Sequence, residues 1–138
     1  MIAYLDASVV LRVVLGEPGR LAGWDGLDGA VASALTEVEC LRTLDRLSRQ
    51  GALSADEVAD RRTAVYGLME AVELVDVSRP VLRRASEPFS TPLGTLDAIH
   101  LATALAWREA RNEDLVLATH DRALGTAARA TGLRVLGV

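Results

Sequence analysis

The chain is 138 residues long, half apolar and a quarter charged, which suits one globular domain over residues 1–138 and excludes a disordered segment. A chain of this length can bury a full core unaided, and its one cysteine, Cys40, allows no internal disulfide. The net charge of −4 argues against nucleic-acid binding by overall charge, and because all 15 basic residues are arginine, any mechanism that needs a lysine is excluded.

Met1–Leu5 is short, apolar and bounded by Asp-Ala-Ser, the pattern of a buried strand. Asp6 interrupts the apolar start, and no basic segment precedes it, so no signal peptide is predicted. Nor does any apolar run approach the ~20 residues needed to cross a bilayer. Ala7–Leu15 reads as a helix ended by Gly16 and Pro18. A further short helix is predicted near Gly19–Leu27, and a strand at Ala30–Ser33. Thr36-Glu-Val-Glu39 matches a capping box, with Val38, Leu41, Leu44 and Leu47 as the apolar stripe of the helix behind it and Gly51 as its stop. Ser54-Ala-Asp-Glu57 is a second capping box, opening a helix to about Ala71 and completing an αα-hairpin. Val72–Val77 reads as a strand, and Arg79 to about Ser86 as a helix with Pro80 in its first turn. Thr95 is predicted to cap a helix with an apolar face of Leu96, Ile99, Ala102, Ala106 and Trp107. Asp114–Thr119 is a buried strand, Ala123–Ala130 a helix and Leu133–Leu136 a last strand. Strands alternating with helices predict a three-layer α/β/α sandwich around a mainly parallel sheet.

In such sheets ligands bind beyond the carboxyl ends of the strands. Asp6 follows the first strand directly, and Asp121 lies just past the Asp114–Thr119 strand. Asp97 sits in the first turn of its helix, and Glu39 one turn into the helix after Ala30–Ser33. Each has a structural reading beside the functional one: Asp6 and Asp121 as helix caps, Glu39 as the capping-box acid, Asp97 as an acid at the positive end of a helix. If the four converge, their mutual repulsion calls for cations. Oxygen ligands suit Mg²⁺ or Mn²⁺, and one or two such ions would activate water for phosphodiester cleavage without histidine, cysteine or lysine.

Four segments together resemble the PIN domain, especially the VapC group of toxins. They are Tyr4-Leu-Asp6-Ala-Ser8, Ser33-Ala-Leu-Thr-Glu-Val-Glu39-Cys-Leu-Arg42, Leu96-Asp97-Ala-Ile-His100-Leu-Ala and Ala118-Thr119-His-Asp121-Arg-Ala-Leu. They span nearly the whole chain, in order, and Leu-Asp-Ala-Ile-His-Leu-Ala is the most specific block. The resemblance implies Asp6, Glu39, Asp97 and Asp121 as an acidic, metal-binding catalytic set, with Ser8 and Thr119 as polar supports. It also implies RNA cleavage, a homodimer and inhibition by a cognate antitoxin. A cytoplasmic location fits the lone cysteine.

Other residues stay open between two readings. Cys40 lacks a paired thiol and reads as a small buried apolar residue. His100 reads as a structural hydrogen-bonding group, whereas His120 is a structural residue or a contact to substrate phosphate. Arg42, Arg46 and Arg49 follow Glu39 at helical spacing and form a solvated face or guide RNA phosphates, with Arg42 also placed to orient Glu39. Trp24 is a core residue or a contact to RNA or a partner, and no aromatic cluster suggests a base-stacking platform.

Two competing classes start from the same Asp6. A receiver domain needs a lysine late in the chain, and an Asp-nucleophile phosphatase needs a second Asp where Ser8 stands. A non-catalytic binding module on the same fold is the third reading.

Overall fold

The computed structural model describes all 138 residues. In chain order the elements are β1 (Ile2–Leu5), α1 (Ala7–Val14), β2 (Gly29–Ser33), α2 (Ala34–Arg49), α3 (Ala55–Glu70), β3 (Glu73–Val75), α4 (Arg79–Ala85), α5 (Thr95–Arg111), β4 (Leu115–Ala118), α6 (Arg122–Ala130) and β5 (Arg134–Leu136). The five strands form one sheet in the order β3-β2-β1-β4-β5, and every pairing is parallel. β1 is central, and the strand order reverses there. The carboxyl ends of β1 and β4 therefore flank the topological switch point, where α/β sheets open a crevice for ligands.

Alternation along the strands sends side chains into two cores. Ala3, Leu5 and Ala32 pack with Val9, Val10, Cys40, Leu44, Val65 and Met69 beneath α1, α2 and α3. Tyr4, Val31, Leu115 and Leu117 pack on the other face with Leu101, Leu105, Trp107 and Leu124 of α5 and α6. The predicted three-layer α/β/α arrangement is thus present, with a fully parallel sheet. Leu117 is wholly buried in the second core, so Leu117→Ala is expected to cost about 3 kcal/mol in chemical unfolding.

Several local expectations change. β2 runs straight into α2, so Ser33 becomes the cap, its side chain accepting from the Leu35 N–H at 3.1 Å. Thr36 is already inside the helix and buried, and the Thr36–Glu39 capping box does not form. The inward face of α2 is Thr36, Cys40 and Leu44, while Val38 is 54% exposed. At Ser54 the capping box does form, with Ser54 and Glu57 bonded reciprocally at 3.1 and 3.2 Å. Between residues 19 and 27 only a short 3₁₀ turn, Trp24–Gly26, appears, because Gly19 and Gly23 take left-handed backbone angles that no helix contains. Gly94, not Thr95, is the N-cap of α5. This helix has no single apolar stripe: residues 100 to 105 are all buried, because α4, α6, β2 and β4 surround it, and Leu96 is left exposed.

Candidate active site

β1 delivers Asp6 beside the end of β4, and the Asp6 N–H donates to the Ala118 carbonyl at 3.1 Å. Asp6 has the backbone conformation of a helix cap, yet its side chain caps nothing. Its Oδ2 accepts instead from Ser8 Oγ at 2.6 Å and from Thr119 Oγ1 at 2.8 Å. The same hydroxyls accept backbone protons from the turn after β4: Ser8 from the His120 N–H at 3.0 Å, and Thr119 from the Asp121 N–H at 2.9 Å. Ser8 and Thr119 therefore clamp a buried carboxylate and also fix the turn that carries Asp121. Asp121 is exposed and caps α6 through Oδ1, which accepts the Leu124 N–H at 2.9 Å. The capping role foreseen for it is real, and its second oxygen keeps no protein partner.

Glu39 reaches the same place from α2. Released from capping, its Oε1 contacts Nε2 of His100. His100 is fully buried on α5, and its Nδ1 pairs with the Tyr4 hydroxyl at 2.8 Å, while Nε2 lies 3.8 Å from Asp6 Oδ1. Tyr4 points to the opposite face of β1 from Leu5, which lets it lie under α5. Burial, reinforced by the negative charge of Asp6, raises the Tyr4 pKa, so the hydroxyl stays protonated. Arg42, by contrast, is exposed and makes no bond to Glu39. The residue that orients Glu39 is His100, a partner 61 positions away.

Asp97, in the first turn of α5, is half-buried. Burial and then the charges of Asp121, Asp6 and Glu39 push its carboxyl up to about 6, against a smaller pull from His100. Burial alone would lower the His100 pKa, but the Glu39 hydrogen bond and the charges of Asp6, Glu39 and Asp97 outweigh it and raise the value. Asp97 thus feels the other three acids at the carboxyl ends of the strands.

These two shifts have the same sign in stability. A group with a raised folded pKa binds its proton more tightly folded than unfolded, so its contribution is present at low pH and lost as pH rises through the folded value. For Asp97 that window lies between the ordinary carboxylate range and about 6, and for His100 it begins near the ordinary histidine value. In EDTA, the melting temperature is therefore expected to rise as pH falls from 8 to 5. A melting temperature that falls over this range would contradict the crowding of the acids.

The donor set fits a hard divalent cation. It is all oxygen, and one carboxyl is held above its usual range by burial and by the charges of its acidic neighbours. No three of the His, Cys, Asp or Glu side chains stand close enough to chelate one ion alone. Mg²⁺ tolerates that, since it usually keeps several waters and needs only one or two carboxylates.

Arg46 is exposed on α2 beside Arg42, in a shallow groove with Asp45 and Arg49; Arg49 is paired with Asp45 at 3.0 Å. Neither Arg42 nor Arg46 touches the four acids.

A family model described as PIN domain matches residues 3–130. This chain belongs to the PIN-domain family. Ribonuclease VapC45 and Ribonuclease VapC49, from two strains of Mycobacterium tuberculosis, are each 33% identical to it over 97% of this chain and 94% of their own. Among solved structures, VapBC2 from Rickettsia felis, bound to a promoter DNA fragment, matches with a TM-score of 0.68 at 14% identity, covering 98% of this chain and 97% of the other. FitAB bound to a DNA fragment gives a TM-score of 0.69 at 17% identity, over 98% and 93%. At those identities the likeness is one of fold, and it places the switch-point crevice of this PIN domain within a shared architecture.

Proposed function

We propose that this PIN domain is a metal-dependent endoribonuclease and the toxin half of a VapBC-type toxin–antitoxin pair. The observation that carries the reading is geometric: Asp6 is held by Thr119, whose hydroxyl also fixes the turn that carries Asp121, and Glu39 is joined to His100, whose Nε2 lies 3.8 Å from Asp6. The ribonuclease names of its 33% identical relatives supply the substrate. Asp6, Glu39, Asp97 and Asp121 would hold one or two Mg²⁺ or Mn²⁺ ions, which supply an activated water and stabilise the leaving oxygen of an RNA phosphodiester. Ser8 and Thr119 hold Asp6 so that Oδ1 stays available, and His100 holds Glu39. Arg42 and Arg46 act as outlying guides for RNA phosphates, and His120 as a nearer one.

The partners proposed are RNA, a second copy of the chain and a cognate antitoxin, acting in the cytoplasm. A similar fold in a toxin–antitoxin complex from Klebsiella pneumoniae supports the antitoxin, as does an apolar groove between α4 and α5 lined by Leu82, Ala85, Leu93 and Ile99. No helix is long and apolar enough to cross a membrane.

The test pairs single-stranded RNA and DNA of one sequence with the purified protein in Mg²⁺, Mn²⁺ or EDTA. Internal cuts in RNA alone, with either metal and not in EDTA, are expected. RNA left whole in both metals would overturn the reading and favour a binding module.

A further inference from the structure

Beside the carboxylates, between α1 and α6, lies a cleft of about 520 Å³ lined by Arg12, His120, Arg122, Thr126 and Arg129, with Gly137 and Val138 completing it. Arg122, Thr126 and Arg129 are spaced four and three apart, so they share one face of α6. Arg12 comes from the last turn of α1, on the other side of the sheet. Five arginines elsewhere, Arg20, Arg49, Arg84, Arg111 and Arg134, each have an acidic partner. None of the three in the cleft has one. A protein of net charge −4 thus gathers three unpaired guanidiniums around one opening.

His120 links this cleft to the acids. It stands between Thr119, which holds Asp6, and Asp121. Its Nδ1 lies 3.1 Å from the Gly137 carbonyl, which can only accept, so Nδ1 carries a proton. Its Nε2 is shielded from solvent and has no protein partner. Apart from that imidazole the lining has no ring on which a base would stack, so the cleft suits the phosphate backbone and not the bases.

We infer that Arg12, Arg122 and Arg129 form a clamp for the RNA backbone, holding a phosphate outside the bond that is cut and leading the strand past His120 to the carboxylates. This rests on the ribonuclease reading and adds a substrate subsite to it. The local positive charge also resolves how an acidic protein holds a polyanion: unpaired guanidiniums are gathered next to the turn that carries Asp121. Because phosphates are common to all sequences, the clamp adds affinity without sequence preference.

The test measures binding of a fluorescent single-stranded RNA in EDTA, where cutting is not expected, as a function of salt. Arg122→Gln is compared with Arg134→Gln, which removes the same charge at the amino end of β5, where Arg134 pairs with Asp114 and lines no part of the cleft. The Arg122→Gln/Arg129→Gln double variant is expected to bind at least about tenfold more weakly than wild type. Its log–log salt slope should be shallower by about 0.7 for each lost phosphate contact. Arg134→Gln should match wild type. If the double variant melts early, the two single variants carry the same comparison. RNA binding by the Arg122 and Arg129 variants equal to that of Arg134→Gln would overturn the clamp, including the case where the cleft serves an acidic protein partner. Cleavage by wild type in Mg²⁺, assayed in parallel, separates the two failures. Cutting with unchanged variant binding removes the clamp alone, whereas wild type that neither cuts nor binds RNA removes the ribonuclease reading with it.

Discussion

Asp6→Asn is expected to lower RNA cleavage by about 10³-fold or more, since a site-bound cation contributes several kcal/mol to the transition state and each 1.36 kcal/mol is tenfold. The fold should survive. The amide oxygen can take the place of Oδ2 and keep both hydroxyl bonds, from Ser8 and Thr119. One negative charge also disappears from beside Asp97, where it raises the carboxyl. Metal-free Asp6→Asn should therefore melt no lower than wild type near neutral pH. It should also lose most of the melting-temperature gain that Mn²⁺ gives wild type, because ligand-linked stabilisation follows affinity. Cleavage at the wild-type rate would remove Asp6 from the catalytic set.

His100→Ala should damage both stability and activity. The imidazole is wholly buried and bonded at both nitrogens, to Tyr4 and to Glu39. Its removal leaves a cavity beneath α5 and a Tyr4 hydroxyl without its imidazole partner. Together these are expected to cost about 3 to 5 kcal/mol in denaturant unfolding. Glu39 also loses its anchor, so the residual folded protein should cut RNA at least about tenfold more slowly. His100→Gln separates the effects: an amide can bond Tyr4 or Glu39 and should restore part of the stability. If His100→Ala unfolded like wild type, the buried chain from Tyr4 to Glu39 would carry no weight.

The sequence made the sheet and the ends of its strands legible because short apolar runs between turn residues have few alternatives. Asp6 and Asp121 were visible for that reason: each is the first or third residue past a buried strand. Glu39 was ambiguous because Ser33 and Thr36 are both good caps, and only the direct passage from β2 into α2 decides for Ser33. That choice frees Glu39 from the helix end. The inward face of α2 is legible only in part: Leu44 lies on it as the spacing predicts and Leu41 packs beside it, but α1 and α3 also cover Thr36 and Cys40, and Val38 is left exposed. The role of His100 depends on Glu39 and Tyr4, which are 61 and 96 residues distant, so periodicity carries no trace of it. A tyrosine within an otherwise apolar strand beside Asp6 was the available hint. The arginine cleft was hidden likewise: Arg12 and Arg122 meet only because α1 and α6 leave neighbouring strand ends.

The central claim is that Asp6, Glu39, Asp97 and Asp121 surround a place for a divalent cation. Crystals soaked in Mn²⁺ and measured at a wavelength where manganese scatters anomalously test it most directly. One or two anomalous peaks are expected at the carboxyl ends of β1 and β4, coordinated by Asp6 or Asp97. Peaks only elsewhere on the surface, with all four carboxylates unliganded at saturating Mn²⁺, would contradict it.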